Sequence, residues 1–313
     1  MAKLKDLAEM PERLSGGHRL CAGCGASIAV RQILRGTQDD VVVGCATGCL
    51  EVATTIYPYT AWEVPFIHNA FENSAATVTG AEAAYKALQR KGKIPAGKKV
   101  KFVAFGGDGG TYDIGLQSLS GALERGHDFV YVCYDNEAYM NTGIQRSSAT
   151  PYGASTSTVP AGTCSFGKPQ QRKDLAMIAA AHHIPYVAQG TIAHWNDLLM
   201  KAEKAFNTPG PAFLLVLAPC PRGWIFPIEK TVEIAKEAVD CCFWPLYEIE
   251  NGVFKLNKKV PDSKKIPMVE WLKKQKRFKH LFQEGCEKYL ENIQIQVDEE
   301  WARYNRMNGE KIF

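Results

Sequence analysis

Two cysteines separated by two residues are the first side chains along the chain that could carry chemistry. Cys21 and Cys24 lie in the segment HRLCAGCGAS. Such a pair can bind a metal, exchange a disulfide or serve only as packing. The pair does not open a helix directly after a strand, which argues against a redox motif of the thioredoxin kind. A metal site would need further ligands from elsewhere in the chain.

Single cysteines that follow predicted strands are candidates for those ligands. Cys45 and Cys49 compete for one position after the first strand, and Cys220 follows the fourth. Four thiols would suit zinc or an iron–sulfur cluster. Zinc sites usually combine two paired motifs, whereas here one pair is joined by two single cysteines and Cys220 is followed by Pro221. This pattern favours a 4Fe–4S cluster, with zinc or no metal as the alternatives.

The segment GGDGG, in which Asp108 lies between glycines, is a second candidate for chemistry. Glycines allow the backbone to approach a ligand closely, and the absence of GxGxxG argues against a dinucleotide fingerprint. A carboxylate beside phosphates normally holds a cation, and Mg²⁺ prefers oxygen ligands. Asn136, one helix and one strand further on, could supply a second, neutral oxygen. A GDG followed at this distance by Asn matches the diphosphate motif of thiamine-diphosphate enzymes.

Four short apolar runs predict the buried strands that must position these groups. The runs are Val41–Cys45, Val100–Phe105, Phe129–Asp135 and Ala212–Ala218. Helical segments lie between them, so we expect an α/β fold, a parallel sheet with helices on both faces. Ligands of such sheets bind outside the carboxyl ends of the strands. Because a candidate residue follows each run, we expect these residues to meet at one edge of the sheet.

Two further stretches define the organisation of the chain. The polar segment Asn141–Gln170 is long for a loop, which indicates either a lid over a polar ligand or a mobile surface loop. After Trp224 the sequence becomes rich in lysine, which predicts a peripheral C-terminal extension. We therefore expect residues 1–224 to form a thiamine-diphosphate and iron–sulfur-binding domain. Residues 225–313 would pack on this core or on a partner subunit.

The composition limits the class of protein. The 313 residues carry a net charge of +4 and are 46% hydrophobic, which is typical of a globular protein and gives little support for nucleic-acid binding. The N-terminus has no secretory pattern, and no apolar stretch is long enough to span a membrane. We expect a cytoplasmic protein that binds neither nucleic acid nor membrane. Ten cysteines in that compartment favour metal ligands or packing over disulfides.

The motifs together closely resemble one family. They are GHRLCAGCGA, ATGCLEV, VPFIHNAFENSAA, GGDGGTYDIG, YDNEAYMNTGIQRSSATP and APCPRGW. Across Gly17–Trp224 the chain resembles the β subunit of 2-oxoacid:ferredoxin oxidoreductases, the pyruvate:ferredoxin oxidoreductase family. The resemblance implies the thiamine-diphosphate-binding fold, with thiamine diphosphate, Mg²⁺ and one 4Fe–4S cluster as cofactors.

The same resemblance implies a role for individual residues. It assigns the cluster to Cys21, Cys24, Cys49 and Cys220. It assigns Mg²⁺ to Asp108, Asn136 and the main-chain carbonyl of Ala138. It gives Asn141 a catalytic position over the reacting carbon. The implied cofactor-binding residues are Gly48, Gly107, Asp108, Gly109, Gly110, Asn136, Ala138, Asn141 and Thr142.

The implied activity is the decarboxylation of a small 2-oxo acid, with pyruvate as the default, and transfer of the electrons through the cluster to ferredoxin. Coenzyme A usually accepts the acyl group in this family. An α subunit would supply the glutamate that activates the aminopyrimidine, and γ- and δ-type subunits would carry further clusters. The alternatives are an oxalate oxidoreductase β subunit that works without coenzyme A, half of a non-redox thiamine-dependent decarboxylase, and a structural zinc protein.

Overall fold

The computed structural model describes residues 4–162 and 165–313. Cys164, which the sequence suggests is structural, lies outside the described residues. The helices are α1 (Leu4–Glu9), α2 (Gly25–Leu34), α3 (Cys49–Thr54), α4 (Ser74–Arg90), α5 (Leu116–Glu124), α6 (Leu175–Ala180), α7 (Trp195–Asn207), α8 (Pro221–Trp224), α9 (Thr231–Asp240), α10 (Met268–Lys273) and α11 (Glu287–Met307). A π-helical turn spans Gly109–Ile114, and 3₁₀ turns span Ile228–Lys230, Asp262–Lys264 and Lys276–Phe282. None of the described helices is both long and apolar enough to cross a bilayer.

The strands are β1 (Asp40–Ala46), β2 (Phe66–Asn69), β3 (Val100–Gly107), β4 (Val130–Asp135), β5 (Ala161–Gly162), β6 (Ser165–Phe166), β7 (Tyr186–Thr191), β8 (Ala212–Leu217), β9 (Tyr247–Glu250) and β10 (Val253–Leu256). Eight of them form one sheet in the order β10-β9-β7-β8-β4-β3-β1-β2, and β5 pairs with β6. The six strands from β7 to β2 are parallel, whereas β9 and β10 join antiparallel. The predicted α/β sheet is confirmed.

Both faces of the sheet are covered, which explains why its central strands are continuously apolar. Successive strand residues point to opposite faces. Val103 and Phe105 of β3 pack in the core that includes α2 and α7, whereas Phe102 and Ala104 pack in the core that includes α4 and α5. All four predicted runs are strands, at β1, β3, β4 and β8.

The predicted C-terminal extension takes part in the main sheet. Its strands β9 and β10 continue the sheet beyond β7, and α11 packs against β10. A cavity of about 490 Å³ lies beneath α11, lined by Trp244, Phe278 and Val297 among others. The division of the chain at residue 224 stays a prediction, since both parts share one sheet.

The long polar loop is packed closely in its first half. Ser147, Ala149 and Thr150 are completely buried. The amine of Lys168 is also buried and donates to the backbone carbonyl oxygens of Thr150 at 2.5 Å and Ser148 at 3.4 Å. The hydroxyls of Ser147 and Thr150 donate to Asp108 Oδ2 and to the Glu137 carbonyl oxygen, which holds the loop over the carboxyl ends of β3 and β4.

Candidate active site

One cavity at the carboxyl ends of β1, β3 and β4 contains all nine predicted cofactor-binding residues. Its lining includes Gly48, Gly107, Asp108, Gly109, Gly110, Asn136, Ala138, Asn141 and Thr142. Cys49, Phe71 and Met140 line it as well. The cavity brings together residues that follow β1, β3 and β4, whereas Cys220, which follows β8, does not line it. The cavity beneath α11 includes none of these nine residues.

The GGDGG segment forms the floor of this cavity because its glycines permit tight packing. A Cβ atom on Gly109 would lie 2.4 Å from the ring of Tyr139, and one on Gly110 would lie 2.9 Å from the carbonyl oxygen of Phe71. Both glycines belong to the π-helical turn that follows β3. Turns of this kind are frequent at functional sites. Both positions therefore require glycine for packing, and both glycines line the cavity.

Asp108, Asn136 and Ala138 bring three oxygen-bearing groups to one point. One terminal atom of the Asn136 amide lies 2.8 Å from Asp108 Oδ1 and 2.9 Å from the Ala138 carbonyl oxygen. If this atom is the amide nitrogen, it donates to both oxygens. If the amide is rotated, its oxygen takes that position and three oxygens face one another. The second arrangement is the one a hard cation such as Mg²⁺ would stabilise, so the donor set fits the metal.

The electrostatics around Asp108 also fit a cation. The side chain is 1% exposed, and its oxygens accept hydrogen bonds from the Ser147 hydroxyl at 2.5 Å and the Asn136 backbone N–H at 3.4 Å. Both donors are neutral. Burial raises the pKa of the Asp108 carboxyl well above its usual value, and the nearby charge of Asp135 raises it further. A divalent cation would compensate this buried charge.

The two acidic residues beside Asn136 are compensated by arginines. Arg172 contacts Asp135 Oδ2 at 2.8 Å and Glu137 Oε1 at 3.3 Å, and Arg277 contacts Glu137 Oε2 at 2.5 Å. Glu137, Arg172 and Arg277 were not among the predicted site residues, and neither was Ser147. Acidic residues at the end of a fully apolar strand were a signal for buried cations. The sequence does not show which of its 37 Lys and Arg residues supply them.

The four predicted cluster ligands come from three segments of the chain, and Cys49 on one of them lines this cavity. We call Cys21, Cys24, Cys49 and Cys220 the thiol quartet. Cys24 precedes α2, Cys49 begins α3, and Cys220 precedes α8 with its sulfur accepting the Gly223 N–H at 3.3 Å. The start of α2 packs directly on the end of β8, since a Cβ on Gly25 would lie 2.6 Å from the Ala218 backbone. This contact brings the CxxC pair next to Cys220.

Electrostatic interaction among the thiols shows their proximity. Burial raises the pKa of Cys24 to about 11 and that of Cys49 to about 12. Repulsion from Cys21 and Cys220 contributes to the rise at both. By contrast, Cys45 is fully buried in the sheet core, and among the other ionisable groups Glu51 raises its pKa. These electrostatic interactions group Cys49, rather than Cys45, with the other three thiols.

Four cysteine thiolates are the usual ligands of a 4Fe–4S cluster, and zinc also accepts such a set. In the part of the chain that the structure describes, no group of three or more His, Cys, Asp or Glu side chains is arranged to hold a metal ion. The cluster and the zinc alternative therefore both stay predictions for the quartet.

Comparison with known proteins defines the class of the fold and site. Residues 43–216 match the family model described as the thiamine pyrophosphate enzyme, C-terminal TPP binding domain. The solved 2-oxoglutarate:ferredoxin oxidoreductase from Magnetococcus marinus superposes with a TM-score of 0.53 at 19% identity, covering 73% of this chain and 78% of that chain. The predicted thiamine-diphosphate-binding fold is confirmed.

Comparison with curated relatives shows to which family of thiamine-dependent enzymes the chain belongs. Pyruvate synthase subunit PorB of Thermotoga maritima is 54% identical over 294 residues, which is 93% of this chain and 90% of the relative. Ketoisovalerate oxidoreductase subunit VorB of Pyrococcus abyssi is 45% identical over 296 residues, 95% and 93% of the two chains. The chain belongs to the family of 2-oxoacid:ferredoxin oxidoreductase β subunits. The resemblance and the enzyme class predicted from the sequence are confirmed.

Proposed function

We infer that this chain is the thiamine- and cluster-binding subunit of an enzyme that oxidatively decarboxylates pyruvate and delivers the electrons to ferredoxin. The observation that carries this proposal is that Cys49, one member of the thiol quartet, lines the cavity that contains the oxygen groups of Asp108, Asn136 and Ala138. Electron transfer from a carbon centre to iron needs such a short path.

The residues present have separable tasks in this proposal. Asp108, Asn136 and Ala138 would hold Mg²⁺, the glycines of GGDGG would admit the diphosphate, and the quartet would hold a 4Fe–4S cluster. Bound thiamine diphosphate supplies a carbon nucleophile and an electron sink, and the cluster accepts electrons singly.

Asn141 lies at the exposed side of the cavity, where its amide can donate a hydrogen bond to the substrate oxygen that gains charge. Such a donor contributes about 3 kcal/mol in comparable sites. Phe71 and Met140 line the same cavity and would limit the access of water to the reacting atoms.

Pyruvate is the proposed substrate because relatives named pyruvate synthase reach 54% identity, whereas the ketoisovalerate enzyme subunit reaches 45%. Branched 2-oxo acids and oxalate are the competitors. A multisubunit enzyme is further proposed, in which an α subunit supplies the activating glutamate and γ- and δ-type subunits carry clusters toward ferredoxin. Coenzyme A would accept the acyl group, and the assembly would work in the cytoplasm.

The test is anaerobic purification of the chain with its partner subunits, followed by reduction of ferredoxin or viologen with pyruvate, 2-oxoisovalerate, 2-oxoglutarate or oxalate. We expect pyruvate to be preferred, and iron, acid-labile sulfide and thiamine to be present. Asp108→Asn should abolish thiamine retention. The matched control Asp128→Asn, an exposed position just before the opposite end of β4, should not affect it. An iron-free complex would refute the proposal. So would a complex that reduces neither ferredoxin nor viologen with any of these acids.

A further inference from the structure

We propose that Arg277, which lies in the predicted C-terminal extension, is a positioning residue for the loop formed by residues 135–138. Together with Arg172 it holds Glu137 in a left-handed backbone conformation. That conformation directs the side chain of Asn136 and the carbonyl of Ala138 toward the same point. This inference rests on the proposed function, because it concerns the oxygen groups proposed to hold Mg²⁺.

The backbone of Glu137 has an unusual conformation. Its φ is +68°, a region that residues with a Cβ adopt rarely and at a cost in free energy. Glu137 stands between the two residues whose oxygen-bearing groups approach each other to 2.9 Å, Asn136 and Ala138. Reversal of the chain at Glu137 is what allows these neighbours to face one way. Strain of this kind persists only where surrounding contacts enforce it.

Contacts to both the side chain and the backbone of Glu137 enforce this left-handed conformation. Arg277 Nη2 lies 2.5 Å from one carboxylate oxygen of Glu137, and Arg172 Nη1 lies 3.3 Å from the other. The backbone of Glu137 is bound too, since its N–H donates to Asp135 Oδ1 at 3.0 Å and its carbonyl accepts from the Thr150 hydroxyl at 2.6 Å. Because Glu137 is completely buried, its carboxylate requires compensating positive charge, which the two guanidinium groups supply.

Arg277 is itself held in place by neighbouring side chains. Its guanidinium lies 3.9 Å from the ring centre of Trp224 and donates to Gln275 Oε1 at 2.8 and 3.0 Å. The indole N–H of Trp224 donates in turn to the Asn136 carbonyl oxygen at 2.7 Å. Arg277 therefore contacts the 135–138 loop both directly and through Trp224. A residue that served only to attach the extension would not need this double connection.

The experiment measures Mn²⁺, as a probe for Mg²⁺, in the assembled complex with saturating thiamine diphosphate. The electron paramagnetic resonance signal of free Mn²⁺ gives the dissociation constant without any turnover. For Arg277→Met we expect Mn²⁺ affinity to fall roughly tenfold or more, the effect of releasing a strained conformation. The matched control is Arg303→Met, which removes another arginine of the extension, one paired at 2.7 Å with the half-buried carboxylate of Asp174. This control should bind Mn²⁺ like the unmodified complex.

A second comparison separates backbone positioning from mere loss of a charge. Glu137→Ala and Glu137→Gly both remove the carboxylate, but only alanine resists the left-handed conformation. We expect Glu137→Ala to bind Mn²⁺ several times more weakly than Glu137→Gly. Adding Glu137→Gly to Arg277→Met should restore the affinity, because glycine needs no clamp. The alanine and glycine variants decide the matter alone if Arg277→Met does not fold.

Some outcomes would overturn the inference about Arg277, and a different one would overturn the proposed function. Equal Mn²⁺ affinity of the alanine and glycine variants overturns the inference, and so does an Arg277→Met complex that binds like Arg303→Met or a double variant without recovery. Failure of the unmodified complex to bind Mn²⁺ with thiamine diphosphate would instead overturn the proposed function.

Discussion

Replacement of Trp224 with phenylalanine removes one buried hydrogen bond from the wall of the site. The indole N–H donates to the Asn136 carbonyl oxygen at 2.7 Å, and the ring is fully buried. Phenylalanine keeps an aromatic face for the edge contact with Trp271 but has no donor. A buried carbonyl left without its partner costs about 1–3 kcal/mol. The void left by the smaller ring adds about 1 kcal/mol.

The expected loss is therefore about 2–4 kcal/mol, a large share of the stability of an ordinary domain. With a dependence on urea of about 3 kcal/mol per molar, the unfolding midpoint should fall by about 1 M. The assay is urea unfolding of the full chain followed by circular dichroism. A second assay measures thiamine retained by the assembled complex after gel filtration.

The matched control is Trp271→Phe. The indole of Trp271 is equally buried and donates to the Ile234 carbonyl oxygen at 2.9 Å, away from the cavity. It should cost similar stability and leave thiamine retention unchanged, whereas Trp224→Phe should reduce retention. A Trp224→Phe midpoint within experimental error of the unmodified chain would refute the energetic reasoning. Equal retention in the two variants would refute the claim that Trp224 supports the Asn136 backbone.

Three further predictions concern other parts of the structure. Cys49→Ser should lose most of the iron of the anaerobically purified complex while Cys45→Ser keeps it, as measured by iron content and visible absorbance; the reverse result would reassign the ligand. Asn141→Ala should lower kcat about 100-fold while most of the thiamine is retained, since it removes a hydrogen-bond donor but none of the groups proposed to hold Mg²⁺ and the diphosphate; an unaltered kcat would exclude that role. Burial alone would raise the pKa of Glu248, but hydrogen bonds from Lys204 and Tyr186 outweigh it and lower that pKa to about 2. The ionised carboxylate thus stabilises the fold above its ordinary pKa of 4.5, and this contribution is lost as the pH falls from there toward 2. Acid unfolding of Glu248→Gln should show a shallower pH dependence in that window, and an identical profile would contradict the assignment.

The strands that carry the site were predictable because burial on both faces leaves a simple apolar signature. The run Val100–Phe105 falls within β3 for this reason. β7 was missed, since its Gln189 and Gly190 interrupt an apolar run although the strand is buried. Strand β9 was missed because its buried residues include a glutamate, Glu248, which interrupts the apolar run. Strand β10 was missed because it is short and lies at the sheet edge, where buried and exposed residues alternate.

In the candidate site, too, some residues could be predicted from the sequence and others could not. Asp108 and Asn136 were identifiable because each directly follows a strand, and parallel topology brings strand ends together. Ser147 and Arg277 were not, because their positions depend on how a long loop and the C-terminal extension fold back over the sheet. Local sequence contains no record of such long-range packing, and Arg277 lies 140 residues from the glutamate it contacts.

The short segment Cys220–Trp224 joins two functions through a single turn of helix. One of its ends presents a proposed iron ligand, and the other braces the asparagine loop through the indole. Oxidative damage that strips iron from this segment would accordingly disturb the neighbouring thiamine pocket as well.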